Sequence, residues 1–138
     1  MINNLVLIDD DPITLRIIEL TIKRNQFADN VIKLKNGEEG IHFFEKLSTI
    51  ETNIVPELVF LDLNMPVMNG WDFLDEYAAR YQVLFPNTQI CILSSSVDPQ
   101  DQLRAQKYSS VIRFISKPIF ISELTELKHH VSLYDYFI

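Results

Sequence analysis

Five short apolar runs alternate with stretches of helical periodicity along this chain, and that alternation leaves few folds open. The runs are NLVLID (4–9), NVIKLK (30–35), ELVFLD (57–62), TQICIL (88–93) and VIRFIS (111–116). The first, third and fourth are almost wholly apolar, as strands covered on both faces must be. After the first run, Asp11 sets a capping acid before Pro12 at the first helical position. Leu15, Ile18 and Ile22 then share one helix face as far as about Asn25. Asn36-Gly37 turns into a second helix through Leu47, and a third runs from near Gly70 to just before Phe85-Pro86. A fourth covers 98–108, and ISELTELKHHVSLY forms the last. A strand followed by a helix, five times over, predicts a parallel, doubly wound α/β sheet with helices on both faces. No linker, repeat or low-complexity segment interrupts it, so 1–138 reads as one domain, with a core over about 3–131 and a tail over 132–138.

In open α/β sheets, ligands bind beyond the carboxyl ends of the strands. The polar residues of this chain collect at those ends: Asp9-Asp10-Asp11, then Asp62, then Ser94-Ser95-Ser96, then Ser116-Lys117-Pro118. A carboxylate at the end of an apolar strand is costly unless it finds a partner. Carboxylates forced together are relieved by a proton or a cation. Oxygen-only donors suit a hard divalent ion, and Mg²⁺ in particular takes one or two carboxylates plus phosphate oxygens. Lys117 and a serine hydroxyl would complete a site for the oxygens of a phosphoryl group.

Composition removes several classes of function. Nineteen acids against 12 bases give a net charge of −7, which argues against direct DNA binding, where cationic contacts to phosphate dominate. Cys91 is the single cysteine, inside an apolar run, so no intrachain disulfide or cysteine-based zinc site can form. No secretory leader and no membrane-length apolar segment is expected, which points to a cytoplasmic setting. His42, His129 and His130 lack partners at metal-ligand spacing.

Four separated motifs, LIDDDP, FLDLNMPVMNG, ILSSS and ISKP, together resemble the response-regulator receiver domains of two-component signalling, over roughly residues 3–131. The resemblance implies a flavodoxin-like five-stranded sheet of order 2-1-3-4-5 with five helices. It implies that Asp62 is the phosphoacceptor, forming an acyl phosphate. Mg²⁺, or Mn²⁺ in its place, would be held by Asp10, Asp62 and the backbone carbonyl of Asn64, with Asp9 acting through water. Ser94 would be the switch hydroxyl, with Ser95 the fallback, and Lys117 would pair with the phosphate through a cis bond to Pro118. Phe114 matches the aromatic position whose rotamer follows the phosphorylated state, and the position of Ser96 can tune the life of the acyl phosphate. Asp11 is left to cap its helix.

By the same resemblance the donor is a histidine kinase or a histidine phosphotransfer protein. With no output domain in the sequence, the readout is expected to be contact with a downstream protein, relay to another phosphotransfer protein, or phosphorylation-dependent homodimerisation. No metabolic enzyme is expected, only Mg²⁺-dependent self-phosphorylation and slow autodephosphorylation. Two departures stand out: Ser rather than the commoner Thr at the switch hydroxyl, and KYSSVIRF (107–114) in place of the usual Leu-Gly-Ala approach to the fifth strand.

Other readings fare worse. A haloacid-dehalogenase-type phosphatase needs a general acid two residues beyond its nucleophile, where this chain has Asn64. A nucleotide-binding module needs a glycine-rich loop after the first strand, and the three glycines are Gly37, Gly40 and Gly70. Asp72, Asp75 and Asp98 read as turn or cap residues, and Trp71 and Phe73 as packing aromatics. The tail LYDYFI (133–138) either packs back on the last helix or offers an apolar contact to a partner.

Overall fold

The computed structural model describes residues 1–50 and 54–138. Strands β1 (Ile2–Ile8), β2 (Ala28–Leu34), β3 (Leu58–Leu61), β4 (Gln89–Ser94) and β5 (Val111–Ser116) alternate with helices α1 (Pro12–Arg24), α2 (Gly37–Thr49), α3 (Gly70–Arg80), α4 (Pro99–Ala105) and α5 (Ile121–Lys128). All strand pairs are parallel, in the order β2-β1-β3-β4-β5. This is the doubly wound, flavodoxin-like sheet expected from the alternation of runs and from the four motifs.

The period-2 side-chain geometry of a strand divides the core into two layers. Val6, Ile8, Val59, Leu61, Ile90 and Ile92 face one way, meeting Ile41 and Phe44 of α2 and Phe73, Leu74 and Tyr77 of α3. Leu5, Leu7, Leu58, Phe60, Cys91 and Leu93 face the other, meeting Leu15, Ile18 and Ile22 of α1 and Leu124 and Leu127 of α5. Burial pushes the Cys91 thiol well above its ordinary pKa, so it packs as a small apolar group.

Local capping sets where the helices begin. Asp11 accepts from Ile13 N–H at 3.0 Å, Asn36 from Glu39 N–H at 2.8 Å, and Asp98 from Gln100 N–H at 2.9 Å. Asn69 and Asp72 cap α3 reciprocally, each side chain accepting from the other's backbone N–H, which satisfies two otherwise orphaned donors.

Element ends differ from the sequence reading in several places. β1 starts at Ile2 rather than residue 4, because Ile2 is fully buried and its N–H donates to Phe27 O at 3.1 Å. β2 likewise starts at Ala28, paired with Ile2. α3 closes at Arg80; Leu84 and Phe85 N–H groups both turn back to Tyr81 O at 3.0 Å. α4 stops at Ala105, where Lys107 N–H donates to Arg104 O and Tyr108 N–H to Ala105 O, tightening the turn. α5 ends at Lys128 instead of continuing to 134, and Tyr134–Phe137 form a separate 3₁₀ turn. Burial explains the break: Leu133 is fully enclosed, and Phe137 reaches back to Phe27 with ring centroids 5.1 Å apart. The tail packs home, not on the last helix alone but under the α1–α5 layer.

Candidate functional site

Strand register brings the polar strand ends together. Ile8 pairs with Leu61, so Asp9 and Asp62 follow neighbouring strand positions. Ser94 pairs with Ser116, so Lys117 leaves β5 beside the end of β4, where its N–H donates to Ser94 O at 2.8 Å. The result is a compact charged group. Lys117 Nζ donates to Asp9 Oδ2 at 2.6 Å and lies 3.3 Å from Asp62 Oδ1. One carboxylate oxygen from each of Asp9, Asp10 and Asp62 lies within 4.8 Å of the other two. Asp9 and Asp62 are buried while Asp10 is exposed, so the group opens to solvent on the Asp10 side. The Lys117-Pro118 peptide is cis.

The electrostatics follow from that geometry. Burial holds the Asp62 carboxyl above its ordinary value of 3.8; the Lys117 charge and the Asn64 backbone N–H pull it down, and Asp9 pushes it up. For Lys117, burial acts to lower the pKa, but the Asp9 hydrogen bond and the charges of Asp62 and Asp9 outweigh it, and the net shift is upward. Lys117 therefore stays cationic beside the three carboxyl groups.

A raised Asp62 pKa means that folding disfavours the ionised form, so the cost appears as pH rises from 3.8 through the folded-state value. We expect Asp62→Asn to be more stable than the natural chain at neutral pH. Urea unfolding at a series of pH values should show a gap that grows across this window and then levels; a variant less stable at pH 7 would contradict it.

The loop from Asp62 to α3 is held at both ends. Gly70 N–H donates to Leu63 O at 3.0 Å, and Gly37 N–H donates to Met68 O at 3.1 Å. Between them Val67 sits at φ 68°, a left-handed conformation unfavourable for a β-branched side chain. Sequence reading missed that strain. Met65-Pro66 and Asn69-Gly70 signal a loop there but not which residue takes positive φ.

The remaining sequence-selected residues divide. Ser94 is wholly buried at the end of β4, and its Oγ accepts from Ser96 N–H at 3.0 Å. Ser95 is exposed. Ser96 Oγ donates to Asp101 Oδ2 at 2.5 Å, linking the β4–α4 loop to α4. Asp101 was not singled out from sequence; only its place as the third residue of a helix opened by Asp-Pro hinted at a cap role. Phe114 is half-buried and lines a cavity of about 270 Å³ between α4 and β5. Pro118, with Thr14, Ile17 and Ile18, lines a second cavity of about 240 Å³ beside Lys117. Asn64 is exposed, and the contact the structure gives it is the N–H to Asp62.

The oxygen-only carboxylate group fits a hard divalent ion by donor type and crowding. Among the described residues, no helix is long and apolar enough to cross a membrane.

Comparison with known proteins bears on the family and the fold. The family model described as "Response regulator receiver domain" matches residues 5–129. The chain is 38% identical over 103 residues to the nitrate/nitrite response regulator protein NarL of Escherichia coli, covering 75% of this chain and 43% of that protein. It is 31% identical over 126 residues to the cell cycle transcriptional regulator CtrA of Caulobacter vibrioides, covering 91% of this chain and 48% of that one. The chain thus spans less than half the length of these relatives. Among solved structures, a two-component response regulator from Cytophaga hutchinsonii superposes with a TM-score of 0.83 at 28% identity, covering 98% of this chain and 96% of that one. With its match across residues 5–129 and its buried acid at the end of β3, this chain belongs to the response-regulator receiver domains, the phosphorylation-based switches of two-component signalling.

Proposed function

We propose that Asp62 is the phosphoacceptor of this receiver and that the donor is a phosphohistidine on a histidine kinase or phosphotransfer protein. The single observation that supports it best is the placement of Asp62, a buried carboxylate 3.3 Å from Lys117 within an acidic group open on one side. An ionised Asp62 oxygen attacks phosphorus, the P–N bond to the donor imidazole breaks, and an acyl phosphate forms. Hydrolysis later returns inorganic phosphate and the free carboxylate. Asp10, Asp62 and the Asn64 carbonyl would hold Mg²⁺ or Mn²⁺, with Asp9 acting through water; bound there, the ion neutralises charge on the phosphoryl oxygens.

Lys117 would exchange its Asp62 contact for a phosphate oxygen. Ser94 accepts from Ser96 N–H within its own loop and would leave that bond to donate to a phosphate oxygen, and Ser95 is the less suitable choice because it is exposed. Phe114, beside a cavity, has room to change rotamer, and Ser96 and Pro118 shape the rim of the site. Ile13 and Ile17 on α1 and Phe120 and Ile121 at the start of α5 are exposed apolar residues, and Ile17 lines a cavity with Lys117 and Pro118, which offers a donor apolar surface beside Lys117.

Output by protein contact, by relay to a further phosphotransfer protein, or through a phosphorylation-dependent homodimer fits the charge of −7 better than DNA contact by this domain. We read 1–138 as one receiver unit acting in the cytoplasm, catalysing nothing beyond its own phosphorylation and slow dephosphorylation.

The test is incubation with acetyl phosphate, with and without Mg²⁺, followed by intact mass. One phosphate should be added, dependent on Mg²⁺ and absent in Asp62→Asn. An adduct of equal yield in the Asn variant would move the phosphoacceptor elsewhere.

A further inference from the structure

On the side of the sheet away from α1, α3 and α4 are joined by a group of side chains that no site role has claimed. The Arg104 guanidinium of α4 lies 4.3 Å from the centre of the Trp71 ring on α3. Tyr108, just past α4, stacks on the same ring with centroids 6.1 Å apart and planes at 27°. Its hydroxyl donates to Asp75 Oδ1 at 2.5 Å. Asp75 lies one turn beyond Trp71, on the same face of α3.

Among the described residues, α4 has few other anchors. Of its seven residues only Ala105 is buried, and a helix of that length is not stable without outside contacts. Against its inner side lies the cavity of about 270 Å³ lined by Gln102, Ala105, Val111 and Phe114, so the helix has room to shift. Its leading end is tied to the candidate site through Ser94, Ser96 and Asp101. Trp71, for its part, directly follows Gly70, whose N–H is bonded to the residue after Asp62. Two short paths from the carboxylate group therefore converge where Arg104 meets Trp71.

We propose that Trp71, Arg104, Tyr108 and Asp75 form a clasp that positions α4, holding it where the Ser94 hydroxyl stays bonded within its own loop and so opposing engagement of Ser94 with a phosphoryl group. This rests on the reading of Asp62 as phosphoacceptor. A contact that favours one arrangement must weaken any ligand that favours the other, by the same free energy. Releasing Arg104 should therefore tighten binding of a phosphoryl analogue, by about two- to fivefold, the span of an exposed cation–π contact.

The probe is beryllofluoride with Mg²⁺, titrated against the full chain, with bound fluoride counted by ¹⁹F NMR and the clasp followed by emission of Trp71, the chain's one tryptophan. In the natural chain, binding should shift Trp71 emission as the guanidinium leaves the ring. Arg104→Ala should bind about two- to fivefold more tightly with most of the emission response gone, and Arg104→Lys should restore both in part, because an ammonium can also sit over the ring. Equal affinity of Arg104→Ala with an unchanged emission response would overturn the clasp while leaving the phosphoacceptor reading intact. No ¹⁹F-detected binding by the natural chain would instead remove the phosphoacceptor reading. Hydrogen exchange then decides the clasp alone: α4 amides should exchange about threefold faster or more in Arg104→Ala, with other helices unmoved, and unchanged α4 exchange would overturn it.

Discussion

Gly70→Ala should lower stability by about 2–3 kcal/mol and slow phosphorylation by acetyl phosphate by about tenfold or more, since small displacements of reacting groups are costly. A Cβ at residue 70 would stand 2.4 Å from Asp62 O and 2.8 Å from Leu63 Cα. Both are backbone atoms, so neither can rotate aside. None of the glycines has positive φ, hence the need for glycine here is space, not conformation. To make room, either the start of α3 must retreat, stretching the 3.0 Å bond from Gly70 N–H to Leu63 O, or Asp62 must shift relative to Asp9 and Lys117. Gly40→Ala is the control. Its Cβ would meet Ile8 Cδ1 at 2.8 Å and Phe73 Cε2 at 2.9 Å, side-chain atoms of the core layer under α2 and α3 rather than backbone of the site, so it should cost stability without a comparable change in phosphorylation rate. Urea unfolding and timed intact-mass measurements would check both. A Gly70→Ala protein as stable and as reactive as the natural chain would show that the strand end tolerates a different path.

Phe44→Ala should cost about 3–5 kcal/mol, a large share of the roughly 5–15 kcal/mol that holds a domain together. Phe44 is fully buried on α2, and its ring meets Phe43, Phe73, Tyr77, Tyr81 and Phe85 at centroid distances from 4.9 to 6.3 Å. Removing it strips contacts from α2, α3 and the segment after α3 at once, and five rings fixed by their own packing cannot all close the gap. Phe44→Leu should recover about half of the loss or more, since it refills much of the volume but not the ring-to-ring geometry. Equilibrium urea unfolding measures both. A loss under about 1 kcal/mol for the alanine variant would mean that the cluster collapses readily, against the usual cavity penalty.

Helices α1 to α4 were legible as starts more than as ends. Asp11-Pro12, Asn36-Gly37, Asn69-Gly70 and Asp98-Pro99 announce them, because a cap is a local hydrogen bond between neighbours in the chain. α5 lacks such a cap residue; Phe120 stands at its N-cap without a side-chain hydrogen bond. The ends answer to distant partners. Nothing near Lys128 says stop; α5 ends there because Leu133 and Phe137 have a place under Phe27, a residue more than a hundred positions earlier. β1 gained Ile2 for the same reason, through Phe27 O.

Neighbouring residues in the chain already carry the alternation of strand and helix and the identity of the acids, hydroxyls and lysine at the strand ends. Apolar period and local capping write these into adjacent residues. Tertiary structure alone decided that Lys117 divides itself between Asp9 and Asp62, that Ser94 is buried while Ser95 faces solvent, and that Val67 takes positive φ. It also brought Arg104 over Trp71. The physical reason is common to all of these. Register between parallel strands joined by crossover helices is fixed by the packing of two core layers, and side chains that meet at the sheet edge come from strands far apart in the chain, where no local pattern can record the encounter.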